Sequence, residues 1–326
     1  MAIVFVGSEL DSFEVSTGAV GSTNAASFAT PYARGSVGLL SAWARARFPS
    51  LPTMWATWRH YTNVGAVGNL VLFETGGPQG AIARVFSGAN GTNGSVQRWD
   101  GAAWVDIAAI NVSDASFMGL GPQTMAVKID PVNGFIRFWR AGELVAEFIG
   151  NTATRAGMTG CNYFQFNHRS TISSAYISEV IIGDTDNRLY RLATLAATGN
   201  GANTAWVNDV AAVNALTSPE STYISSGTAG EKESFVMGNL PAATADSGEV
   251  KAVAVAARHV IQSASGPQTI NGLVRVGTTD YTKALSPQNK DASAGGTAVW
   301  DTSPATGQKW TRAEVDALEA GVQSAA

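Results

Sequence analysis

Cysteine is almost absent. Cys161 is the only one in 326 residues, so the chain closes no internal disulfide and must be held together by packing. Its neighbours read as a strand and no histidine but His168 lies near it in sequence, so a buried structural thiol is expected rather than a nucleophile. Charge is scarce as well: 14% of residues are Asp, Glu, Lys or Arg, against about 25% in ordinary soluble domains. Ser, Thr, Asn, Gln, Ala and Gly must cover the surface instead. The net charge of -4 and the scattered Lys and Arg leave no basic field for phosphates, which excludes nucleic acid as an expected partner. No apolar run approaches the roughly 20 residues that span a bilayer, so membrane insertion is not expected. The opening MAIVFVGSELDSF lacks a basic flank and a cleavage site, and synthesis in the cytoplasm is the expectation.

Catalytic and cofactor signatures are missing too. There is no Gly-Xaa-Ser-Xaa-Gly elbow. His60, His168 and His259 fall on separate expected strands with no second His or Cys at ligand spacing, so no zinc site is legible. The Gly-rich stretch 88–94 lacks the Lys and following helix of a phosphate loop and reads as a hairpin tip. Asp184-Thr185-Asp186-Asn187 starts like a calcium loop but lacks the later Gly and Glu, and reads as a polar turn. No closely spaced carboxylate pair suits glycoside cleavage; Ser8-Glu9-Leu10-Asp11 comes nearest and reads as a capped turn. The expectation is a chain without cofactor, without metal and without enzymatic activity.

What is present is strand signal. A hydrophobic fraction of 45% provides cores, and the length suits two of them. Short alternating runs are separated by Gly, Asn, Asp and Pro clusters every 8 to 12 residues or so, as in sandwiches. The clearest hairpin set is 125–148, MAVKIDPVNGFIRFWRAGELVAEF. Asn133-Gly134 and Ala141-Gly142 supply its reversals, and Val127, Ile129, Ile136 and Phe138 alternate toward one face. The stretch 198–203 reads as a loop, 248–261 as a small-residue strand, and 273–277 with 280–285 as a pair turning through Gly277. One helix is expected near the end: Thr311 with Glu314 makes a capping box, Trp310 can pack on Val315, and Val315, Leu318 and Val322 form its apolar stripe.

The 125–148 hairpin, the segment YISEVIIGDTDNRL at 176–189 and the opening FVGSEL at 5–10 together resemble concanavalin A-like (laminin-G-like) jelly rolls as they occur in tailed-bacteriophage structural proteins. The ordered segments NTAWVNDVAAVN, PESTYISSGTAGEKESFVMGNLP, GEVKAVAVAARHV and VWDTSPATGQKWTRAEVDALEAGV resemble the C-terminal half of the same proteins. The resemblance implies an all-β chain, a jelly roll over 1–185 followed by a smaller β-sandwich with a short terminal helix over 186–326. It implies a virion protein: a head or tail spike, fibre tip or receptor-binding component. Its candidate partners are other virion subunits, a host cell-surface polysaccharide and further copies of the chain. A decoration or cement protein without ligand is one alternative, and a glycan depolymerase on the same scaffold is another.

Lectin-like sandwiches hold sugars by stacking a ring on the sugar face while amides and carboxylates read hydroxyls. The candidate ligand-binding residues on that basis are Trp99, Asp100 and Trp104, around a tight W-D-G-A-A-W turn, with Tyr163, Asn167 and His168. Trp58, beside His60 and Tyr61, reads first as core.

Overall fold

The computed structural model describes residues 2–16, 19–22, 32, 35–62, 70–87, 94–110, 123–153, 155–168, 175–213, 221–242, 248–262, 265–290 and 293–326. The expected hairpin tip at 88–94 lies outside the described residues except for Gly94. The strands run in chain order as β1 (Ile3–Gly7), β2 (Glu14–Val15), β3 (Ala19–Ser22), β4 (Ser36–Leu39), β5 (Ala42–Leu51), β6 (Met54–Thr62) and β7 (Leu70–Gly77). There follow β8 (Gly80–Ser87), β9 (Gly94–Trp99), β10 (Trp104–Ile110), β11 (Gln123–Asp130), β12 (Phe135–Arg140), β13 (Glu143–Ile149), β14 (Cys161–His168) and β15 (Ala175–Gly183).

These make two facing antiparallel sheets. One is eight-stranded, in the order β13-β12-β11-β6-β15-β4-β3 with β1 also on β15; the other is seven-stranded, β10-β9-β8-β7-β14-β5-β2. The jelly-roll sandwich expected from the sequence is therefore the fold. Alternation builds it: in β5, Ala44, Ala46 and Phe48 turn inward while Trp43, Arg45 and Arg47 turn outward. In β14, Phe164 and Phe166 are core while Tyr163, Gln165 and Asn167 lie on the opposite face. Trp58 of β6 sits at the centre, fully buried, with the rings of Phe73, Phe164, Phe166 and Phe138 between 5.2 and 6.5 Å away. The 125–148 reading holds residue by residue: Val127 pairs with Phe138 and Ile129 with Ile136, and all four are buried. Ala141 and Gly142 both have positive φ, 48° and 86°, as the two-residue reversal between β12 and β13 requires.

The remaining strands are β16 (Ala197–Thr204), β17 (Lys232–Met237), β18 (Val253–His259), β19 (Thr269–Val276), β20 (Thr279–Ala284), β21 (Ala294–Trp300) and β22 (Glu319–Ala325), with short helices α1 (Val210–Val213) and α2 (Arg312–Asp316). A five-stranded sheet, β16-β17-β22-β19-β20, and the pair β18-β21 enclose a second core around Val255, Val274, Leu285, Ala298, Trp310 and Val322. Here the structure corrects two expectations. The Gly/Asn/Thr-rich 198–203 is not a loop but edge strand β16, paired with β17. The terminal helix stops at Asp316, and Val322 belongs to β22, the central strand of the sheet, rather than to a helical stripe. The cap itself is as read: Thr311 Oγ1 accepts from Glu314 N, and Glu314 Oε2 accepts from Thr311 N at 2.8 Å. Between the two sandwiches, Ile3, Ile181 and Val299 pack together and Gly295 N donates to Phe13 O at 3.1 Å. A side chain at Gly295 would run into the Ser12–Phe13 backbone.

Candidate functional site

The outer face of the seven-stranded sheet carries a row of polar side chains that crosses every strand. Register places Glu14, Arg45, Gln165, Glu74, Arg84, Gln97 and Asp106 side by side on β2, β5, β14, β7, β8, β9 and β10. Directly opposed residues have Cβ atoms about 5 Å apart, within reach of one another's side chains. Arg45 Nε donates to Gln165 Oε1 at 2.7 Å, and Arg84 Nε to Gln97 Oε1 at 2.7 Å. Gln97 Nε2 and Ser95 Oγ both donate to Asp106 Oδ1 at 2.7 Å, and those two bonds hold the Asp106 carboxyl below its ordinary range. Glu14 Oε2 lies 2.9 Å from Arg47 Nε and 3.5 Å from Arg45.

Aromatic rings border this row. Trp99 and Trp104 are cross-strand partners at the end of the β9–β10 hairpin. The Arg84 guanidinium lies 4.1 Å from the Trp104 ring centre, and Arg45 lies 5.0 Å from Trp43 and 5.4 Å from Tyr163. Guanidinium groups over ring faces fix both partners through the ring quadrupole. Two places along from the polar row, Gly76 stands between Tyr163 of β14 and Ala81 of β8, buried under the Gly80 carbonyl, which occupies the space a side chain would need. Burial, followed by the nearby Glu74 carboxylate, pushes the Tyr163 phenol well above its ordinary value, so it is a protonated donor.

Several groups on this face are not engaged by the protein. The Glu74 carboxylate, the Tyr163 hydroxyl, the Asn167 side-chain amide and the indole N–H groups of Trp43 and Trp104 have no hydrogen-bond partner among the described residues. All five residues are at least partly open to solvent. Donors and acceptors beside open aromatic rings are what hydroxyl-rich ligands require.

Four of the six expected ligand-binding residues thus share one sheet face: Trp99, Trp104, Tyr163 and Asn167. Two do not contribute as expected. His168 is one residue out of phase with Tyr163 and Asn167, so its ring points into the sandwich and is buried beside His60. Asp100 is exposed, but its Oδ1 accepts from Ala102 N at 2.9 Å and Ala103 N at 2.8 Å. Those bonds hold its carboxyl below the ordinary range and make it a cap of its own turn. Sequence reading missed Trp43, Arg45, Glu74, Arg84 and Gln165. The strict alternation of A-W-A-R-A-R-F at 42–48 was the signal for Trp43 and Arg45.

The residues of the 184–187 turn are engaged elsewhere. Asp184 Oδ1 accepts from Ala2 N, Asp186 pairs with Arg188, and buried Asn187 bonds to Thr57 Oγ1 and Ile181 O.

No protein-family description and no curated protein matches the sequence. Solved structures similar to the chain include a sialidase at 10% identity, TM-score 0.34, covering 47% of this chain and 16% of that one. A carbohydrate esterase from the Shiga toxin-encoding bacteriophage phi24B matches at 9% identity, TM-score 0.38, covering 52% of this chain and 89% of that one. The carbohydrate recognition domain of Emp46p matches at 12% identity, TM-score 0.36, covering 54% of this chain and 90% of that domain. These likenesses concern the fold. They also correct one expectation: the chain cannot be set down as non-enzymatic, because enzymes stand beside a recognition domain among the structures it resembles.

Proposed function

We propose that this chain is a glycan-recognition component of a phage particle, and that a host-surface polysaccharide lies along the outer face of the seven-stranded sheet. The observation that carries the reading is the cross-strand row from Glu14 to Asp106, bordered by Trp43, Tyr163, Trp99 and Trp104. The row pre-organises its own side chains, while Glu74, Tyr163 and Asn167 keep their hydrogen-bonding capacity for a ligand. Support for the particle is the ordered run of C-terminal segments that resembles phage structural proteins.

The test is binding of the purified chain to polysaccharide extracted from the host surface, by affinity electrophoresis, with polymer length and acyl content followed in parallel. Retardation that weakens in Tyr163→Ala and Trp104→Ala, with the fold intact by circular dichroism, is the expected result. Retardation unchanged in both variants, or none with the wild-type chain, overturns the assignment of this face. A change in the polymer would add a reaction to the binding.

A further inference from the structure

Arg155 belongs to the segment between β13 and β14, and its side chain reaches residues far from it in sequence. Its guanidinium lies over the Trp99 ring, 4.6 Å from the centroid, and its Nε donates to Ala81 O at 2.9 Å. Beneath it is Gly80, at φ 115°, where a Cβ would come within 3.1 Å of the guanidinium carbon. The segment is itself tied down: Met158 N donates to Arg155 O, Gln79 Nε2 donates to Gly157 O, and Met158 is buried. Arg155 also acts electrostatically on the Tyr163 phenol. Its two terminal nitrogens have no hydrogen-bond or ion-pair partner among the described residues. Every other arginine placed on this face has a carboxylate or amide partner: Arg45 has Gln165 and Glu14, Arg47 has Glu14, and Arg84 has Gln97.

We propose that Arg155 is the anion-reading residue of the glycan face, so that the polysaccharide is an acidic one whose sugar carboxylate is held by the free end of this guanidinium. The inference rests on the glycan-binding reading above. A guanidinium whose Nε and ring face are already fixed presents its remaining N–H pair in a planar fork, the geometry that matches a carboxylate and that a lysine cannot supply. Holding the fork in place beforehand removes most of the side-chain entropy that binding would otherwise cost. Trp99 then stacks both the guanidinium and the edge of the bound sugar, while Glu74 and Asn167, two strands or more away, face the neutral hydroxyls of neighbouring units.

The test uses the full chain and matched polymers: polygalacturonate, alginate and hyaluronate, each beside its carboxyl-esterified form, with dextran and galactan as neutral polymers, by titration calorimetry. At least one acidic polymer should bind, and esterification should weaken it about tenfold or more, the loss expected for a charge-assisted bidentate contact. Arg155→Ala should lose the same factor on the acid form and nothing on the ester. Arg155→Lys should recover only part, and Gly80→Ala, which pushes the guanidinium off its seat, should behave like Arg155→Ala. Preference for a neutral polymer, or equal binding of acid and ester, with loss in Tyr163→Ala, overturns the acidic ligand and leaves the glycan face standing. Absence of binding to every polymer overturns both.

Discussion

The indoles of Trp99 and Trp104 stand edge to face, ring centres 5.7 Å apart and planes at 75°, on opposite strands of one hairpin at the rim of the seven-stranded sheet. Each also lies beneath an arginine from another part of the chain, Arg155 and Arg84 respectively. The pair is a rigid, half-open corner fixed from both sides.

Replacing either ring should therefore act on binding more than on stability. Trp104→Ala leaves Arg84 its bond to Gln97 but removes the apolar wall, and affinity for the polysaccharide should fall about tenfold. Thermal stability should change by about 1 kcal/mol or less, as for a partly exposed aromatic pair. Calorimetric titration alongside a melting curve separates the two effects. A large loss of stability would mean that the corner is structural.

Trp58 is the opposite case. It is wholly buried and central to the ring cluster of Phe73, Phe138, Phe164 and Phe166. Trp58→Ala leaves a cavity that β6, paired on both sides, cannot collapse to fill. A destabilisation of about 3 to 5 kcal/mol is expected from denaturant unfolding.

These two tryptophans show where sequence reasoning succeeds and where it ends. Trp58 was legible as core because a sandwich of this size needs large rings inside, the inward set Val127, Ile129, Ile136 and Phe138 because the period-2 parity rule is local, and the turns at Asn133-Gly134 and Ala141-Gly142 because their chemistry sits in two adjacent residues. His168 was misplaced although the same parity rule, counted from Tyr163, sends it inward. The 319–325 strand was misread because Val315, Leu318 and Val322 also fit a helical stripe. Gly321 was the overlooked signal: any side chain there would strike the Glu233 backbone of β17. Arg155 was invisible for a different reason. Its meaning comes from Gly80, Ala81 and Trp99, which no local pattern connects to it.

The short terminal helix gives a prediction on the C-terminal core. Thr311 and Glu314 satisfy each other's backbone N–H groups, Glu314 Oε1 also accepts from Ser303 Oγ, and Val315 is anchored beside Trp310 in the second core. Thr311→Ala removes one arm of the box and should cost about 1 kcal/mol in unfolding. Thr311→Ser should restore it, because the hydroxyl rather than the methyl accepts the bond.

Buried His60, beside His168, should make the chain acid-sensitive above the range where carboxylates titrate. Burial first, then the neighbouring His168, lowers the His60 imidazole from its ordinary 6.5 to about 3. Folded, the ring stays neutral; unfolded, it takes up a proton below about pH 6.5. The unfolded state therefore binds more protons throughout that window, and stability, undiminished above about pH 7, falls as pH drops toward 3. Between about pH 7.5 and 5 the contribution of His60 is a loss of about 2 kcal/mol, set almost entirely by protonation of the unfolded chain. His259, whose value burial also lowers, adds in the same direction. Urea unfolding across that interval should show the decline in the wild type and a shallower one in His60→Gln, which cannot titrate. Equal slopes in the two proteins would show that His60 gains its proton in the folded state as readily as in the unfolded one.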